Sequence, residues 1–274
     1  MTLNDKFLRL QEIIADYKSL TVAFSGGVDS SFLLKTAQDV LGNRVLAITA
    51  DSVLIPREEL HAAQAFCQKY GIRQKLVYID VLGIEKVRSN PPDRCYYCKR
   101  RIFERMLDAG AEEGIFILAE GSNQDDEADY RPGMRAIREL SICSPLREAK
   151  LGKAEIRELS KRMGLNTWNK PSMACLASRV PYGDALRSDK LRAVEQAELL
   201  LHSIGLRQCR VRVHGTLARI EVPPVDYPLI MNEKNRQEIV EAFKKYGFSY
   251  VSLDLEGFRS GSMNEMLADK NSHA

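Results

Sequence analysis

Short, continuously apolar runs alternate with amphipathic stretches from residue 6 to about residue 165. The apolar runs predict strands at residues 20–24, Arg44–Ala50, Lys75–Asp80 and Ile115–Glu120. The amphipathic stretches predict helices over residues 6–17, from the first run to Val40, and over Pro56–Tyr70 and Tyr96–Gly114. Strands that are apolar throughout and separated by helices are typical of a parallel sheet covered on both faces. The pattern therefore predicts a doubly wound α/β fold, whose ligands bind beyond the carboxyl ends of the strands.

The pattern changes in the last hundred or so residues. Ser144–Arg147 is interpreted as the end of a fifth strand followed by a helix to Leu165, and Trp168–Gly183 as an irregular segment crossing the top of the sheet. Beyond it we predict helices at Ser188–Ile204 and Glu233–Tyr246, and strands at Cys209–Val213, Leu217–Val222 and Ser249–Leu255. The expected domains are residues 1–183, which form the α/β domain, and residues 184–274, a small α+β domain for substrate binding or oligomerisation.

The first strand leads directly into Ser25-Gly-Gly-Val-Asp-Ser30, and a helical pattern starts at once. Adjacent glycines let backbone N–H groups approach a ligand without an intervening Cβ. The helix start adds unpaired N–H groups and the positive end of its dipole, which together make a phosphate site. A Gly-Gly pair alone fits an ordinary turn, and the Gly-Lys-Ser/Thr ending of a Walker loop is absent. The whole string resembles the pyrophosphate loop of the PP-loop ATP pyrophosphatases, which split ATP between the α- and β-phosphates.

Polar residues also follow the other predicted strands. Asp51, Asp80 and Gly121 come at or after carboxyl strand ends, the edge at which ligands of this fold class bind. The predicted ATP ligands are Ser25, Gly26, Gly27, Asp29 and Ser30 of the loop, together with Asp51 and Gly121. By composition alone Gly121–Gly133 would be a solvated surface loop, but its position after a strand favours a role at the site.

Composition narrows the classes of partner. The chain has 40 basic and 37 acidic residues, a formal charge of +3, and a mean hydropathy of −0.27. So small an excess predicts no strong general attraction to nucleic acid. Neither a signal-like N-terminal stretch nor an apolar run of about 18 residues is present, so we expect a cytoplasmic protein with no membrane partner. The six cysteines are then expected to be reduced thiols or metal ligands.

Three of the cysteines form a candidate cluster site. Cys95-Tyr-Tyr-Cys98 begins a predicted helix, and two residues between thiols let both sulfurs face one metal or cluster, or form a redox disulfide. Cys175 lies in the irregular segment expected over the same end of the sheet. Three thiolates can hold a [4Fe–4S] cluster and leave one iron without a protein ligand, whereas zinc would normally require a fourth Cys or His. Cys67 and Cys143 fit apolar core positions, and Cys209 is ambiguous.

Seven stretches spread over almost the whole chain resemble the LarE-type ATP-dependent sulfur transferases. They are Ser25–Ser30, Asp126–Gly133, Trp168–Lys170, Ser178–Gly183, Arg210–Arg212, Ala218–Glu221 and Gly257–Gly261. The resemblance implies thiolation of the carboxylates of pyridinium-3,5-biscarboxylic acid mononucleotide, toward the nickel-pincer nucleotide used by lactate racemase. One type in that family sacrifices a single cysteine, which matches Cys175, and is left with dehydroalanine. This chain also has Cys95 and Cys98, so it is similar to a second type, in which three cysteines hold a [4Fe–4S] cluster that carries the delivered sulfide.

The resemblance also implies roles for individual residues. ATP would bind in the loop with Mg²⁺ near Asp29, a substrate carboxylate would attack the α-phosphate, and sulfur would displace AMP. Cys175 and Asp29 are thus the predicted catalytic residues, and Glu221 is a candidate ligand of Mg²⁺ or of a ribose. Because guanidinium groups bind phosphate and carboxylate oxygens in bidentate fashion, the predicted substrate ligands are Arg179, Arg210, Arg212 and Arg259. Surface ion pairing is the alternative for these arginines.

Other function classes fit parts of the pattern. Sacrificial sulfur donation from Cys175 is the nearest alternative. Thiolation of tRNA is another, because other PP-loop enzymes with a CxxC pair and a third cysteine modify tRNA. A metal carrier would leave the Ser25–Ser30 loop unexplained, and an ATP-dependent amidating enzyme would leave the cysteines without a role. We expect a small-molecule substrate, a homo-oligomer and no nucleic-acid partner.

Overall fold

The computed structural model describes residues 1–128, 132–171 and 174–259. Its strands are β1 Leu20–Ala23, β2 Val45–Asp51, β3 Gln74–Tyr78, β4 Leu118–Ala119, β5 Arg210–His214, β6 Leu217–Glu221 and β7 Tyr250–Leu253. Its helices are α1 Leu3–Asp16, α2 Val28–Leu41, α3 Arg57–Tyr70, α4 Glu85–Arg88, α5 Arg94–Ala111, α6 Pro132–Glu139, α7 Pro145–Glu148, α8 Lys153–Arg162, α9 Ser188–Ser203, α10 Tyr227–Met231 and α11 Glu233–Lys245. Parts of the predicted stretches Asp126–Gly133 and Gly257–Gly261, at residues 129–131 and 260–261, and residues 172–173 of the predicted irregular segment lie outside the described residues.

A parallel sheet organises the first compact unit, which consists of Met1–Val81 and Asp93–Met173. Its strand order is β3-β2-β1-β4, and every neighbouring pair is parallel. The chain moves outward in one direction from β1 to β3 and then returns to place β4 on the other side of β1. Such a reversal creates a crevice at the carboxyl ends of the two strands that flank it, here β1 and β4. The predicted doubly wound α/β class is confirmed.

Helices cover both faces of this sheet because the side chains of a strand alternate between faces. Leu20 and Val22 on one face of β1 belong to a buried apolar cluster to which α1, α2, α3 and α8 contribute. On the other face, Thr21 packs against α5, where a Cβ on Gly110 would lie 3.0 Å from Thr21 Cγ2. The close approach of α5 therefore depends on that glycine.

Two predicted elements of this unit differ from the structure. The fourth strand is only two residues long, and the predicted fifth strand is reduced to one parallel bridge between Ala119 and Cys143. Pro145 occupies the first turn of α7, where its missing N–H costs nothing, so a helix starts where the strand was expected to end. The helices α4, α6 and α10 have no counterpart in the sequence prediction.

The second compact unit consists of Leu82–Pro92 and Ala174–Ala274. Its sheet has the order β5-β6-β7, with β5 and β6 antiparallel and β6 and β7 parallel. The segment 82–92 belongs to this unit through Asn90, whose side chain donates to Pro181 O at 2.7 Å and whose carbonyl accepts from Gly183 N at 3.0 Å. The chain therefore passes from the first unit to the second after residue 173, and the earlier segment 82–92 also belongs to the second unit. The prediction placed a single boundary at 183/184. Within the described ranges, no helix is both long and apolar enough to cross a membrane.

Candidate functional site

The loop Ser25–Ser30, called the phosphate loop below, connects β1 to α2 in the first unit. Gly26 has φ +72°, a left-handed conformation that side chains disfavour, and a Cβ there would lie 3.4 Å from Ala63 Cβ in α3. Gly27 is the N-cap of α2, and no side-chain hydrogen bond caps this helix end in the described structure. The first-turn N–H groups are therefore left for a ligand, as an anion site requires.

The loop packs against the chain that follows β4, as the strand order predicts. A Cβ on Gly121 would lie only 3.0 Å from the backbone nitrogen of Ser30, so this approach requires glycine. Within the loop, the hydroxyls of Ser25 and Ser30 are 3.0 Å apart, and Ser30 Oγ donates to Gly27 O at 3.3 Å. Ser25, Gly26, Gly27, Ser30 and Gly121 are thus brought together at one edge of the sheet.

Asp29 faces a lysine that the sequence analysis did not assign to the site. One oxygen of Asp29, Oδ2, forms an ion pair with Lys153 Nζ at the start of α8. The other, Oδ1, is buried and has no hydrogen-bond partner among the described residues. The backbone nitrogen of Lys153 donates to Asp125 Oδ2 at 2.7 Å, which holds the start of α8 against the chain that follows β4. An orphaned carboxylate oxygen is the donor that a hard cation such as Mg²⁺ prefers.

Lys170 is a second lysine at the phosphate loop. Its ammonium donates to Gly26 O at 3.1 Å and to Glu59 Oε2 at 2.7 Å. Lys170 lies in the family-like stretch Trp168–Lys170, but nothing in the sequence indicates its role or links it to Glu59. Only the fold brings these residues together.

Two further carboxylates lie at the carboxyl ends of the strands. Asp51, the last residue of β2, pairs with Arg57 Nη1 at 2.7 Å. Glu120, after β4, is buried and accepts from Ser122 N at 2.9 Å and from Ser144 Oγ at 2.6 Å. These bonds fix the turn that presents Gly121. Glu120 was missed because an acidic residue at the end of an apolar run has no distinguishing pattern.

Two of the three candidate cluster cysteines lie on one helix of the first unit. Cys95 and Cys98 occupy the start of α5, and their spacing of three residues puts both thiols on the same helix face. Both are half-buried, and the Arg94 guanidinium lies 3.9 Å from Cys95 Sγ. In the part of the chain that the structure describes, no three His, Cys, Asp or Glu side chains form a group able to hold a metal. The three-cysteine cluster thus stays a prediction.

The remaining cysteines of this unit differ from that pair. Cys67 is buried in the apolar cluster, and burial raises the pKa of its thiol to about 12. Burial also raises the pKa of Cys143, which is half-buried beside the same cluster. A thiol that stays protonated is a poor nucleophile and metal ligand. Both cysteines therefore suit core packing.

Cys175 begins a short 3-10 turn, residues 176–179, in the second unit and is half-buried. Its carbonyl accepts from Ser178 N at 3.0 Å and from Arg179 Nη1 at 3.1 Å. Arg179 is fully buried and forms two parallel bonds with Glu198, at 3.0 and 2.9 Å. The same guanidinium binds Ala174 O at 2.7 Å. Arg179 thus holds the backbone around Cys175, and its role as a substrate ligand stays a prediction.

The other candidate arginines lie in a network of charges in this unit. Glu221 is fully buried between Arg212 Nη2 at 2.9 Å and Arg219 Nη2 at 3.0 Å. Arg259 pairs with Glu256 at 2.9 Å and lies 3.8 Å from Asp254. Arg259 therefore forms a partly exposed pair of the kind that the surface alternative supposes, whereas the Arg212–Glu221 pair is buried. The substrate role of these arginines and the proposed Mg²⁺ or ribose role of Glu221 stay untested.

Arg210 has a different environment from its neighbours. Its Nη1 donates to Cys209 O at 2.7 Å, and its guanidinium lies 5.4 Å from the ring centre of Phe258. Burial lowers the pKa of Arg210, and the nearby charge of Arg179 lowers it further. A buried cation near like charges favours an anionic ligand.

This chain is similar to known proteins over nearly its whole length. A family model described as NAD synthase matches residues 4–90, which contain the phosphate loop. A pyridinium-3,5-bisthiocarboxylic acid mononucleotide synthase from Lactiplantibacillus plantarum is 39% identical over 97% of this chain and 96% of its own. Uncharacterised proteins of Synechocystis sp. and Methanocaldococcus jannaschii are 40% and 33% identical over 97% and 89% of this chain, and 99% and 92% of their own. The chain therefore belongs to the LarE family of ATP-dependent sulfur transferases, which share the ATP-binding fold of the PP-loop enzymes.

Proposed function

We propose that this enzyme adenylates the carboxylates of pyridinium-3,5-biscarboxylic acid mononucleotide and replaces an oxygen of each with sulfur, in the biosynthesis of the nickel-pincer nucleotide. The observation that carries the proposal is the likeness to the Lactiplantibacillus plantarum synthase, whose name gives the bisthiocarboxylic product. That likeness is 39% identity and spans 97% of this chain and 96% of the synthase, so it extends over both compact units.

The phosphate loop would bind the triphosphate of ATP. The uncapped N–H groups at the start of α2 would meet phosphate oxygens, and the helix dipole favours their negative charge. Asp29 would hold Mg²⁺ through Oδ1, which has no hydrogen-bond partner among the described residues, and the metal would offset the charge that develops on the departing pyrophosphate. Lys153 adds a positive charge at the same place.

Activation is the chemical purpose of this site. A carboxylate oxygen of the substrate attacks the α-phosphorus of ATP, the bond to the β-phosphate oxygen breaks, and pyrophosphate leaves. The acyl adenylate now carries AMP as a leaving group, which a bare carboxylate lacks. A sulfur nucleophile attacks the acyl carbon and expels AMP, giving the thiocarboxylate. Two carboxylates need two such rounds.

The sulfur is proposed to come from the site of Cys95, Cys98 and Cys175. When bound there, a [4Fe–4S] cluster would supply sulfide from the iron that has no protein ligand. Cys95 and Cys98 suit two of its ligands because they share one face of α5 and remain partly accessible. Sacrificial donation from Cys175, which would leave dehydroalanine, is the alternative source of the sulfur, and the mass of the protein after turnover distinguishes the two.

Guanidinium groups of the second unit would bind the oxyanions of the substrate. Arg210 is buried on β5, where burial and the charge of Arg179 lower its pKa and Glu198 opposes them, so an anionic ligand would stabilise its charge further. Arg212 lies on the same strand face, two residues along β5. Arg259 is partly exposed and can exchange an ion pair for a substrate phosphate.

Anaerobic turnover of the purified full-length chain tests the proposal. With ATP, Mg²⁺ and the biscarboxylic mononucleotide, we expect AMP, pyrophosphate and a product heavier by one sulfur minus one oxygen per carboxylate. Iron and sulfide analysis should find a cluster, and the protein mass should be unchanged after turnover. Loss of the mass of H₂S from an iron-free protein would instead assign the sulfur to Cys175.

The same assay addresses tRNA thiolation, the second candidate. Unmodified tRNA should compete neither for pyrophosphate release nor for sulfur. If thionucleosides formed in tRNA while the mononucleotide stayed unchanged, the proposed substrate would be wrong and the ATP site would remain valid.

A further inference from the structure

Lys170 joins three parts of the first unit that are distant in sequence. Its ammonium contacts the carbonyl of Gly26, 144 residues away, and the carboxylate of Glu59, 111 residues away. The side chains of Lys170 and Glu59 are only 21% and 15% exposed. An ion pair this protected from water is stronger than an exposed pair and constrains the groups that it contacts.

The carbonyl that Lys170 holds belongs to the peptide bond between Gly26 and Gly27. This bond is planar and trans, so its oxygen and its N–H point in opposite directions. Fixing Gly26 O toward Lys170 therefore directs the Gly27 N–H away from Lys170. That N–H has only a long contact with Ser25 Oγ, at 3.5 Å, among the described residues. The orientation of one phosphate-binding amide thus depends on the lysine.

The lysine is itself held in place. Arg157 in α8 donates to Trp168 O and to Lys170 O, both at 3.0 Å. Lys161 of the same helix lies 5.0 Å from the centre of the Trp168 ring. The segment Trp168–Lys170, which we call the strap, is therefore fixed to α8 by backbone and ring contacts. Because the backbone of the strap is already fixed, only the side-chain freedom of Lys170 is lost when it holds the loop.

We infer that Lys170 is a positioning residue that sets the direction of the Gly26–Gly27 peptide, so that the Gly27 N–H faces the phosphates of ATP. This inference rests on the proposed ATP site in the phosphate loop. Without the ammonium, two adjacent glycines can rotate this peptide at low cost, since neither carries a side chain. The loop would then present one fewer donor to the bound nucleotide.

Loss of this donor should weaken ATP binding in the ground state and the transition state alike. Such a uniform loss raises KM and leaves kcat nearly unchanged. One hydrogen bond to a charged group corresponds to roughly a 10-fold or larger change in affinity. We expect Lys170→Met to raise the KM for ATP by about 10-fold or more and to change kcat by less than about threefold.

The test compares Lys170→Met with Lys6→Met in the holoenzyme. Lys6 forms an equally long-range pair with Glu155 at 2.8 Å, and its side chain is also 21% exposed, but none of its described contacts involves the loop. Lys6→Met should match Lys170→Met in thermal stability while leaving the KM for ATP unchanged. Lys170→Arg, which keeps charge and donors, should recover part of the affinity. Pyrophosphate release and binding of a non-hydrolysable ATP analogue are measured for each protein.

A second variant covers the case in which Lys170→Met does not fold. Glu59→Gln keeps the ammonium but removes its charged partner, so the KM for ATP should rise by a few-fold. The inference is wrong if a folded Lys170→Met or Glu59→Gln protein has the KM of Lys6→Met, or if the loss lies in kcat alone. Failure of the wild-type enzyme to bind the analogue would overturn the ATP site itself, which is a different result.

Discussion

The phosphate loop of the first unit and the arginine network of the second differ in how far their charged groups are paired. In the loop, the N–H groups at the start of α2 have no side-chain cap, and Asp29 Oδ1 is buried without a described partner. In the network, Glu221 is held between two arginines and Arg179 is paired with Glu198. The loop leaves groups for a ligand, whereas the network satisfies most of its groups internally.

The contrast separates groups that are left open to a ligand from charges that are already paired within the fold. Burying a polar group without a partner costs free energy, and Asp29 Oδ1 lies beside the uncapped start of α2, so the two observations together support a ligand at this edge of the sheet. A buried ion pair with both partners present is weak evidence for binding, since its removal mainly damages stability. The two regions should therefore respond to substitution in different observables.

The largest effect is expected at the buried pair of the second unit. Arg179→Met should lower the free energy of unfolding by about 3–5 kcal/mol, because it leaves the Glu198 carboxylate buried without its partner. Chemical denaturation measures the change. The double variant Arg179→Met/Glu198→Leu removes both charges and should recover part of the loss. If Arg179→Met were as stable as the wild type but failed to bind the mononucleotide, Arg179 would act as a substrate ligand rather than as a support of the backbone around Cys175.

Asp29→Asn should give the next largest effect, and on turnover rather than on stability. Mutating residues that only hydrogen-bond to a metal's ligands typically costs roughly 10–100-fold in metal affinity or activity. Replacing a carboxylate that binds the metal itself should lower pyrophosphate release by at least that much. The free energy of unfolding should stay within about 1 kcal/mol of the wild type, because the pair with Lys153 is partly exposed. Titration with Mg²⁺ should show a raised metal requirement. An unchanged requirement would remove Asp29 from the metal site.

Gly26→Ala tests the left-handed backbone of the phosphate loop. A side chain at φ +72° costs about 1–2 kcal/mol, and the new Cβ would contact Ala63. We expect the affinity for a non-hydrolysable ATP analogue, measured by calorimetry, to fall by about 10-fold if the strain is relieved by distorting the loop. Gly215→Ala, at φ +61° in the turn between β5 and β6, is the matched control and should bind the analogue normally.

Arg259→Met should have the smallest effect on stability. It tests whether Arg259 binds the substrate or only forms ion pairs. Its pairs are partly exposed, so the unfolding free energy should fall by less than about 1 kcal/mol. The KM for the mononucleotide should rise, whereas Arg187→Met, which loses an exposed pair with Asp189, should leave it unchanged. Equal KM values for the two variants would show that Arg259 only forms ion pairs.

Much of the fold and part of the site were predictable from local patterns. The parallel sheet follows from apolar runs such as Val45–Asp51, and the phosphate loop from a glycine pair between a strand and a helix. The CxxC spacing fixes that Cys95 and Cys98 share a helix face. The short β4 and the helix α7 were not predicted, because the choice between strand and helix near Pro145 depends on what the segment packs against.

Local sequence was enough to predict the strand–glycine–helix geometry of the phosphate loop and the shared helix face of Cys95 and Cys98, since a few adjacent residues set both. Which side chains are paired depends on the tertiary structure. Lys170 meets Gly26 and Glu59, Lys153 meets Asp29, and Arg179 meets Glu198, and no local pattern encodes these contacts. The physical reason is that a charge acts through its distance to its partner and its exposure to water, and both are set by packing.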